Sequence, residues 1–214
     1  MGKAYLVAEC EQIFEDMVSV YGLRPSQITY NTLLQVYGKM GHVTKAMALF
    51  RRMLEDGQRP DEYTGVSLLL AHSSSNAPAA DAARLWRELT DVHGIRPNTQ
   101  LLTALLNAYR AARDLDPRQK LDRALEILQG MEGSRGGRRA RPSVQTYNSV
   151  LKACEEANDP DAAQALFDRM LDLEVEPSDV TYAIMGRFMS QAGRLDSVHR
   201  IRDFRKVAGL TSRP

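Results

Sequence analysis

Five prolines divide the chain at nearly regular intervals of 35, 37, 45 and 35 residues. A proline ends the preceding helix and keeps the chain extended before it. Each proline is followed by Ser, Asp or Asn, whose side-chain oxygen can accept a hydrogen bond from the first turn of a helix. The pattern therefore predicts five helix starts. The prolines and the residues that follow them are Pro25 and Ser26, Pro60 and Asp61, Pro97 and Asn98, Pro142 and Ser143, and Pro177 and Ser178.

The predicted starts lead into pairs of apolar stripes with helical spacing. In the first unit one stripe runs from Tyr30 to Tyr37 and the other from Ala46 to Met53, separated by "KMGH" at 39–42. A helix pair of this size cannot bury its apolar face alone, so neighbouring pairs must share a core. The sequence predicts an all-α fold, an α-solenoid of stacked antiparallel helix pairs that together form one solenoid domain.

The starts divide this solenoid into a half repeat and five full repeats. Residues 1–26 contain the second helix of a pair, and residues 99–143 carry an insertion rich in Arg and Gly. In the last repeat Arg202 and Arg205 replace apolar residues on the second stripe. This is typical of a C-terminal cap, and an array cut before a further repeat is the alternative. The full repeats are 27–61, 62–98, 99–143, 144–178 and 179–214.

The aromatic residues of the first stripes recur at the same positions from unit to unit. Such recurrence indicates core packing more than it indicates stacking platforms for a ligand. Cys154 occupies the position that Tyr37 and Tyr109 hold in their own units, so it is predicted to pack in the core as well. The tyrosines concerned are Tyr30, Tyr37, Tyr109, Tyr147 and Tyr182.

The composition excludes several classes of protein. The chain has 214 residues, 43% of them hydrophobic and 26% charged, and its apolar runs are too short to span a membrane. We therefore predict no membrane partner. Four histidines and two cysteines fit no metal-ligand or nucleophile motif, so an enzyme, a metal site and a cofactor are not expected. The first residues, "MGKAYLVAEC", show no targeting segment.

Residues 27–61 closely resemble the pentatricopeptide repeat, a helix-pair motif of the same period, and the array resembles a short P-type member of that family. Residues 144–178 match almost as well, because "QTYNSVL" echoes "ITYNTLL", whereas the other units are looser. The resemblance implies a right-handed superhelix. The matching residues of the first unit are Thr29, Tyr30, Asn31, Leu33, Lys39, Gly41, Ala46, Phe50, Met53, Gly57, Pro60 and Asp61.

The resemblance also implies a function, the binding of single-stranded RNA in organellar RNA metabolism. The process would be RNA processing, stabilisation or translation, and the compartment a mitochondrion or chloroplast. Members of the family read one base per repeat through a few side chains on the concave face. Carried over to this sequence, the base-reading pairs are Asn31 with Asp61, Val66 with Asn98, Thr103 with Ser143, and Asn148 with Ser178.

Two further sets of residues follow from the same resemblance. Ile28, Tyr63 and Val180 occupy the position that packs against a base, where the intervening units have Gln100 and Gln145. Lys39 occupies the position near phosphate. The later units replace that lysine by Ser74, Ala111, Glu156 and Gln191.

Each of these assignments has a structural alternative. Helix N-capping fully explains the residues after the prolines, Asp61, Asn98, Ser143 and Ser178. The alternative for Asn31 and Asn148 is a side-chain hydrogen bond to the neighbouring repeat. The arginine cluster of the insertion fits phosphate contacts or a solvated loop equally. The cluster comprises Arg135, Arg138, Arg139 and Arg141.

The sequence also leaves an alternative function open. The net charge of +1 and Glu156 at the lysine position favour a protein scaffold in a larger ribonucleoprotein assembly, such as an organellar ribosome.

Overall fold

The computed structural model describes residues 2–132 and 140–207, with side chains placed for residues 7–132, 140–201 and 203. Arg135, Arg138 and Arg139 lie outside these residues, as do the side chains of Arg202 and Arg205. The described part of the chain is helical without a strand. The helices are α1 Gly2–Ser19, α2 Gln27–Met40, α3 Val43–Glu55, α4 Glu62–Ser74, α5 Ala79–Arg87, α6 Thr99–Ala111, α7 Pro117–Glu132, α8 Val144–Glu156, α9 Pro160–Asp172, α10 Asp179–Gln191 and α11 Leu195–Val207. A π-helical turn, Glu88–Val92, continues α5.

All five predicted helix starts are confirmed. The residue after each proline is the N-cap of α2, α4, α6, α8 or α10, and its side chain accepts a hydrogen bond from a backbone N–H of the first turn. At four of the five starts the hydroxyl oxygen of a threonine at the third helical position accepts the backbone N–H of the cap residue in return. At the fifth start, Asn98, that position is Leu101.

The described contacts group the chain into two compact units, Met1–Leu115 and Asp116–Pro214. In the first unit α4 packs between α2 and α6, and α3 and α5 cover them from one side. Two glycines set how closely these helices approach. A Cβ added at Gly38 would lie 2.7 Å from the carbonyl oxygen of Ser67, and one added at Gly65 would lie 2.7 Å from Leu101 Cδ1.

In the second unit α8 packs against α7, α9 and α10, and α10 packs against α11. Ion pairs join second helices across neighbouring pairs. Arg169 on α9 meets Glu132 at the end of α7 at 2.6 Å, and the hydroxyl of Tyr147 donates to the same carboxylate at 2.6 Å. Arg194, the residue before α11, contacts Asp161 of α9 at 2.6 Å. Each unit is thus a stack of helix pairs, which confirms the α-solenoid fold.

The predicted core residues are largely confirmed. Tyr30, Tyr37, Tyr147 and Tyr182 are buried, whereas Tyr109 is half-buried. Cys154 is buried in α8, and this burial raises the pKa of its thiol to about 12. No helix within the described residues has the length and apolar character that a membrane span requires.

The close approach of α2 and α4 generates a first prediction. Replacing Gly38 by Ala should lower the free energy of unfolding by about 1–3 kcal/mol, because the new methyl would overlap a backbone oxygen that cannot rotate away. The measurement is urea unfolding followed by circular dichroism.

Gly186 in α10 provides the matched control, since a Cβ there meets no described atom within 4 Å. Gly186→Ala should raise the free energy of unfolding by about 0.5–1 kcal/mol through helix propensity alone. If Gly38→Ala were as stable as Gly186→Ala, close helix contact would not define the stacking of the first unit.

Candidate nucleic-acid interface

The first turns of three first helices present large apolar side chains to solvent. Ile28 on α2 is 76% exposed, Tyr63 on α4 is 67% exposed and Val180 on α10 is 54% exposed. The equivalent residues of α6 and α8, Gln100 and Gln145, are exposed as well. The exposure recurs at the second helical position of these three helices, so the predicted base-packing residues are all accessible from solvent.

One turn further along α2, Asn31 lies within reach of the next helix start. Its Nδ2 donates to Asp61 Oδ1 at 3.0 Å, and its Oδ1 accepts the hydroxyl of Thr64 at 2.7 Å. Asp61 Oδ1 also accepts the backbone N–H of Thr64 at 2.9 Å, which is the N-cap bond of α4. The predicted base-reading pair is therefore brought together, and a third residue joins it.

The second unit contains the same arrangement. Asn148 Nδ2 donates to Ser178 Oγ at 3.4 Å, and Asn148 Oδ1 accepts the hydroxyl of Thr181 at 2.7 Å. Ser178 caps α10 by accepting the N–H of Thr181 at 3.3 Å. We call these two groups the Asn31 network, comprising Asn31, Asp61 and Thr64, and the Asn148 network, comprising Asn148, Ser178 and Thr181.

The other two predicted pairs differ in their described contacts. The side chain of Val66 has no hydrogen-bonding group, and Asn98 Oδ1 accepts the backbone N–H of Leu101 at 2.8 Å as an N-cap. The hydroxyl of Thr103 donates back along its own helix to the carbonyl oxygen of Thr99 at 2.7 Å. Thr103 lies in the first unit and its predicted partner Ser143 in the second.

Some charged side chains near the networks are exposed, and others are held in ion pairs. Lys39 is exposed in the last turn of α2, and Arg141 is exposed before α8. On the second unit Arg187 of α10 forms a two-point contact with Glu155 of α8, at 2.9 Å and 2.8 Å. The hydrogen bond that Arg187 donates to Glu155 is the main cause that raises the pKa of the Arg187 guanidinium.

Three of these features were not predicted from the sequence: the contacts of Thr64, the contacts of Thr181 and the ion pair of Glu155 with Arg187. A signal for the two threonines was present, because a threonine stands three residues after an N-cap at four of the five helix starts. The ion pair of Glu155 with Arg187 had no such signal, since the two residues do not repeat at equivalent positions. Among the described residues, no group of three or more His, Cys, Asp or Glu side chains is placed to hold a metal ion.

Family comparisons agree with this arrangement of stacked helix pairs. Residues 25–74 and 142–187 match the PPR repeat family, and residues 84–155 match the pentatricopeptide repeat domain. Together the matches cover most of the chain. The chain belongs to the pentatricopeptide repeat family.

Curated relatives come from Arabidopsis thaliana. The chain is 27% identical to pentatricopeptide repeat-containing protein At4g33990 over 99% of its own length and 24% of the relative's. It is 25% identical to CRR2, chloroplastic, over 87% of the chain and 26% of the relative. With At2g03380, mitochondrial, the identity is 24% over 86% of the chain and 24% of the relative. The chain thus spans about a quarter of the length of these relatives.

Solved structures of the family share the fold. Maize PPR10 superposes with a TM-score of 0.66 at 25% identity, covering 95% of this chain and 27% of PPR10. A second PPR10 structure, in complex with an 18-nt psaJ RNA element, gives a TM-score of 0.51 at 16% identity, over 97% of this chain and 38% of PPR10. At that identity the second match supports the fold alone.

The Asn148 network generates a prediction about stability. Replacing Asn148 by Ala should lower the free energy of unfolding by about 1–2 kcal/mol, because two hydrogen bonds between neighbouring helix pairs are lost. Urea unfolding of the purified chain measures this change.

The adjacent Ser149 is the control, since it is half-buried on the same helix and forms none of the described hydrogen bonds. Ser149→Ala should leave the free energy of unfolding within about 0.5 kcal/mol of the parent. Equal stability of both variants would mean that the Asn148 network contributes nothing to stacking.

Proposed function

We propose that the chain binds single-stranded RNA and reads bases at the Asn31 and Asn148 networks, without catalysis. The observation that carries the proposal is the coincidence of two features in one place. A polar network with unused hydrogen-bonding capacity lies beside side chains that are apolar and exposed. Flat, apolar-faced ligands with a polar edge fit such a surface, and unpaired nucleotide bases have that chemistry.

The Asn31 network would take a base in the following way. Ile28 and Tyr63 stand on neighbouring helices and would pack against the two faces of the base. Asn31 retains one N–H on Nδ2, and Asp61 Oδ2 accepts no hydrogen bond from the described residues. A donor beside an acceptor complements a base edge that offers an acceptor beside an N–H, as uracil does. In the Asn148 network the exposed Val180 would pack against the base in place of Tyr63, and the hydroxyl oxygen Ser178 Oγ would take the place of the Asp61 carboxylate.

The proposed setting is organellar RNA metabolism, in processing, stabilisation or translation. Support comes from relatives named as chloroplastic or mitochondrial proteins and from the RNA element bound to PPR10. Because the chain spans about a quarter of those relatives, this setting is carried over from longer proteins. Localisation to a mitochondrion or a chloroplast rests on the same comparison.

A second candidate function is a scaffold within a ribonucleoprotein assembly. The observation that favours it is the ion pair of Arg187 with Glu155, because a paired guanidinium is less available to a phosphate. The phosphate position of α8 also carries an acidic side chain, Glu156. Such a surface would bind protein through its apolar side chains with little base reading.

Base reading by Asp61 predicts a change of preference without unfolding. Asp61→Asn keeps an N-cap of similar quality but replaces the acceptor carboxylate by an amide. The preference at one base of a selected RNA should change about fivefold, the effect of one net hydrogen bond. Binding to randomised short RNA, read by sequencing at several salt concentrations, measures it.

Glu62 is the matched control, because it lies beside Asp61 in the first turn of α4 and Glu62→Gln removes the same charge. Glu62→Gln should retain the parent preference at every base. A preference profile that Asp61→Asn leaves unchanged would remove Asp61 from the reading residues. An absence of RNA binding by the parent chain would favour the scaffold.

The ion pair on the second unit predicts a response to salt. Glu155→Gln should release Arg187, tighten RNA binding and steepen the dependence of affinity on salt by about 0.7 in the logarithmic slope, the effect of about one further phosphate contact. Fluorescence anisotropy with labelled RNA over a salt series measures both quantities.

Asp161→Asn is the control, since it releases Arg194, the residue before α11, from a comparable ion pair with α9. This variant should leave the slope unchanged. The same slope in Glu155→Gln and in the parent would indicate that Arg187 does not face the RNA and would favour the scaffold.

A further inference from the structure

We propose that Thr64 and Thr181 are positioning residues for base specificity, a proposal that rests on the base reading described above. Each hydroxyl fixes which end of an asparagine side-chain amide acts as donor toward a base. An amide that could turn over would present either its oxygen or its NH₂ group, and would discriminate poorly between base edges. Specificity would then depend on a residue that belongs to the following helix pair and does not touch the base.

The hydrogen bonds of Thr64 determine where its proton points. Thr64 Oγ1 accepts the backbone N–H of Asp61 at 3.1 Å, so its own proton is free to be donated. The shorter of its two acceptor contacts is Asn31 Oδ1 at 2.7 Å, against 3.0 Å to Asp61 Oδ1. Asn31 Oδ1 is therefore held by the hydroxyl, and Asn31 Nδ2 is directed toward the carboxylate and the ligand side.

The Asn148 network depends on its threonine more strongly. An ionised Asp61 accepts hydrogen bonds but cannot donate, so it orients the Asn31 amide independently of Thr64. Ser178 Oγ and Thr181 Oγ1 can each donate or accept, and the contact of Ser178 Oγ with Asn148 Nδ2 is long at 3.4 Å. The contact of Thr181 Oγ1 with Asn148 Oδ1 is much shorter at 2.7 Å, a separation typical of an O–H···O bond, so Thr181 is the main residue that holds the amide in this orientation.

Two other helix starts serve as internal comparisons. Where the reading position is Val66, there is no amide to orient, and the third helical residue is Leu101, packed against Gly65. At the start of α2, Thr29 completes a capping box with Ser26, has no asparagine among its described hydrogen-bond partners and is half-buried. Thr64 and Thr181 are both 0% exposed, as is Thr146 at the start of α8, where the reading position is a threonine. The two networks are therefore distinguished by the asparagine that the hydroxyl contacts and not by burial of the threonine.

The first arm of the test needs no RNA. In the parent chain the side-chain NH₂ signals of Asn31 and Asn148 should show the heteronuclear NOE of a rigid group. Thr181→Val removes the hydroxyl with little change of shape and should lower the NOE of the Asn148 amide. Thr181→Ser keeps the hydroxyl and should give the NOE of the parent chain. Thr29→Val loses the same capping contact at a start without asparagine and should change neither amide. An Asn148 amide that is as rigid in Thr181→Val as in the parent would overturn the proposal.

The second arm measures specificity with short RNAs that vary at one base. Thr181→Val should reduce the preference at the base read by the Asn148 network by about three- to tenfold, with Thr181→Ser close to the parent. Thr64→Val should reduce the preference at its own base by less than about threefold, because Asp61 still orients Asn31. A parent preference that survives Thr181→Val, or that Thr29→Val reduces equally, would overturn the proposal. A parent chain without base preference would instead overturn base reading itself, while the NMR arm still decides whether the hydroxyl holds the amide.

Discussion

The hydrogen bond from an N-cap side chain to the first turn of its helix is the interaction on which the other features depend. It starts each first helix immediately after a proline, and it places the cap residue beside the preceding helix pair. At Asp61 and Ser178 the same oxygen that caps the helix also accepts the amide of an asparagine about one repeat earlier. Helix initiation, the stacking of neighbouring pairs and the polar part of the candidate interface therefore share one atom in each network.

This sharing makes the two interpretations of the cap residues, helix capping and base reading, compatible with each other. A cap and a base-reading residue need not compete for the same lone pairs. Asp61 uses Oδ1 for the cap and for Asn31, which leaves Oδ2 for a ligand. Asn98 shows the other case, because it caps α6 but its predicted reading partner on α4 is Val66, which has no amide. A capping residue thus becomes part of a candidate reading site where an asparagine of the preceding pair reaches it.

The parts of this structure that were predictable from the sequence are those determined within one or two helical turns. The caps at Ser26 and Asn98 follow from a proline and a short polar side chain, and the burial of Tyr30 and Tyr147 follows from helical periodicity. The contacts between helices were not predictable in the same way. Whether Asn31 reaches Asp61 depends on how closely α2 and α4 approach, which Gly38 permits through the absence of a side chain. Thr64 could have been noticed by its recurrence, but its hydroxyl contact spans 33 residues and requires coordinates.

The distribution of charge bears on whether base stacking or phosphate contacts would supply the affinity for RNA. The exposed residues beside the networks are apolar, as with Ile28 and Tyr63, and the guanidinium of Arg187 is already paired with Glu155. Affinity for RNA that came mainly from phosphate contacts would need unpaired cations and would fall steeply with salt. Stacking of bases on apolar side chains contributes about 1–3 kcal/mol per base and depends weakly on salt. Under the proposed function, the two networks and the apolar side chains beside them would therefore supply a base preference that depends weakly on salt, and phosphate contacts would fall to exposed cations such as Lys39.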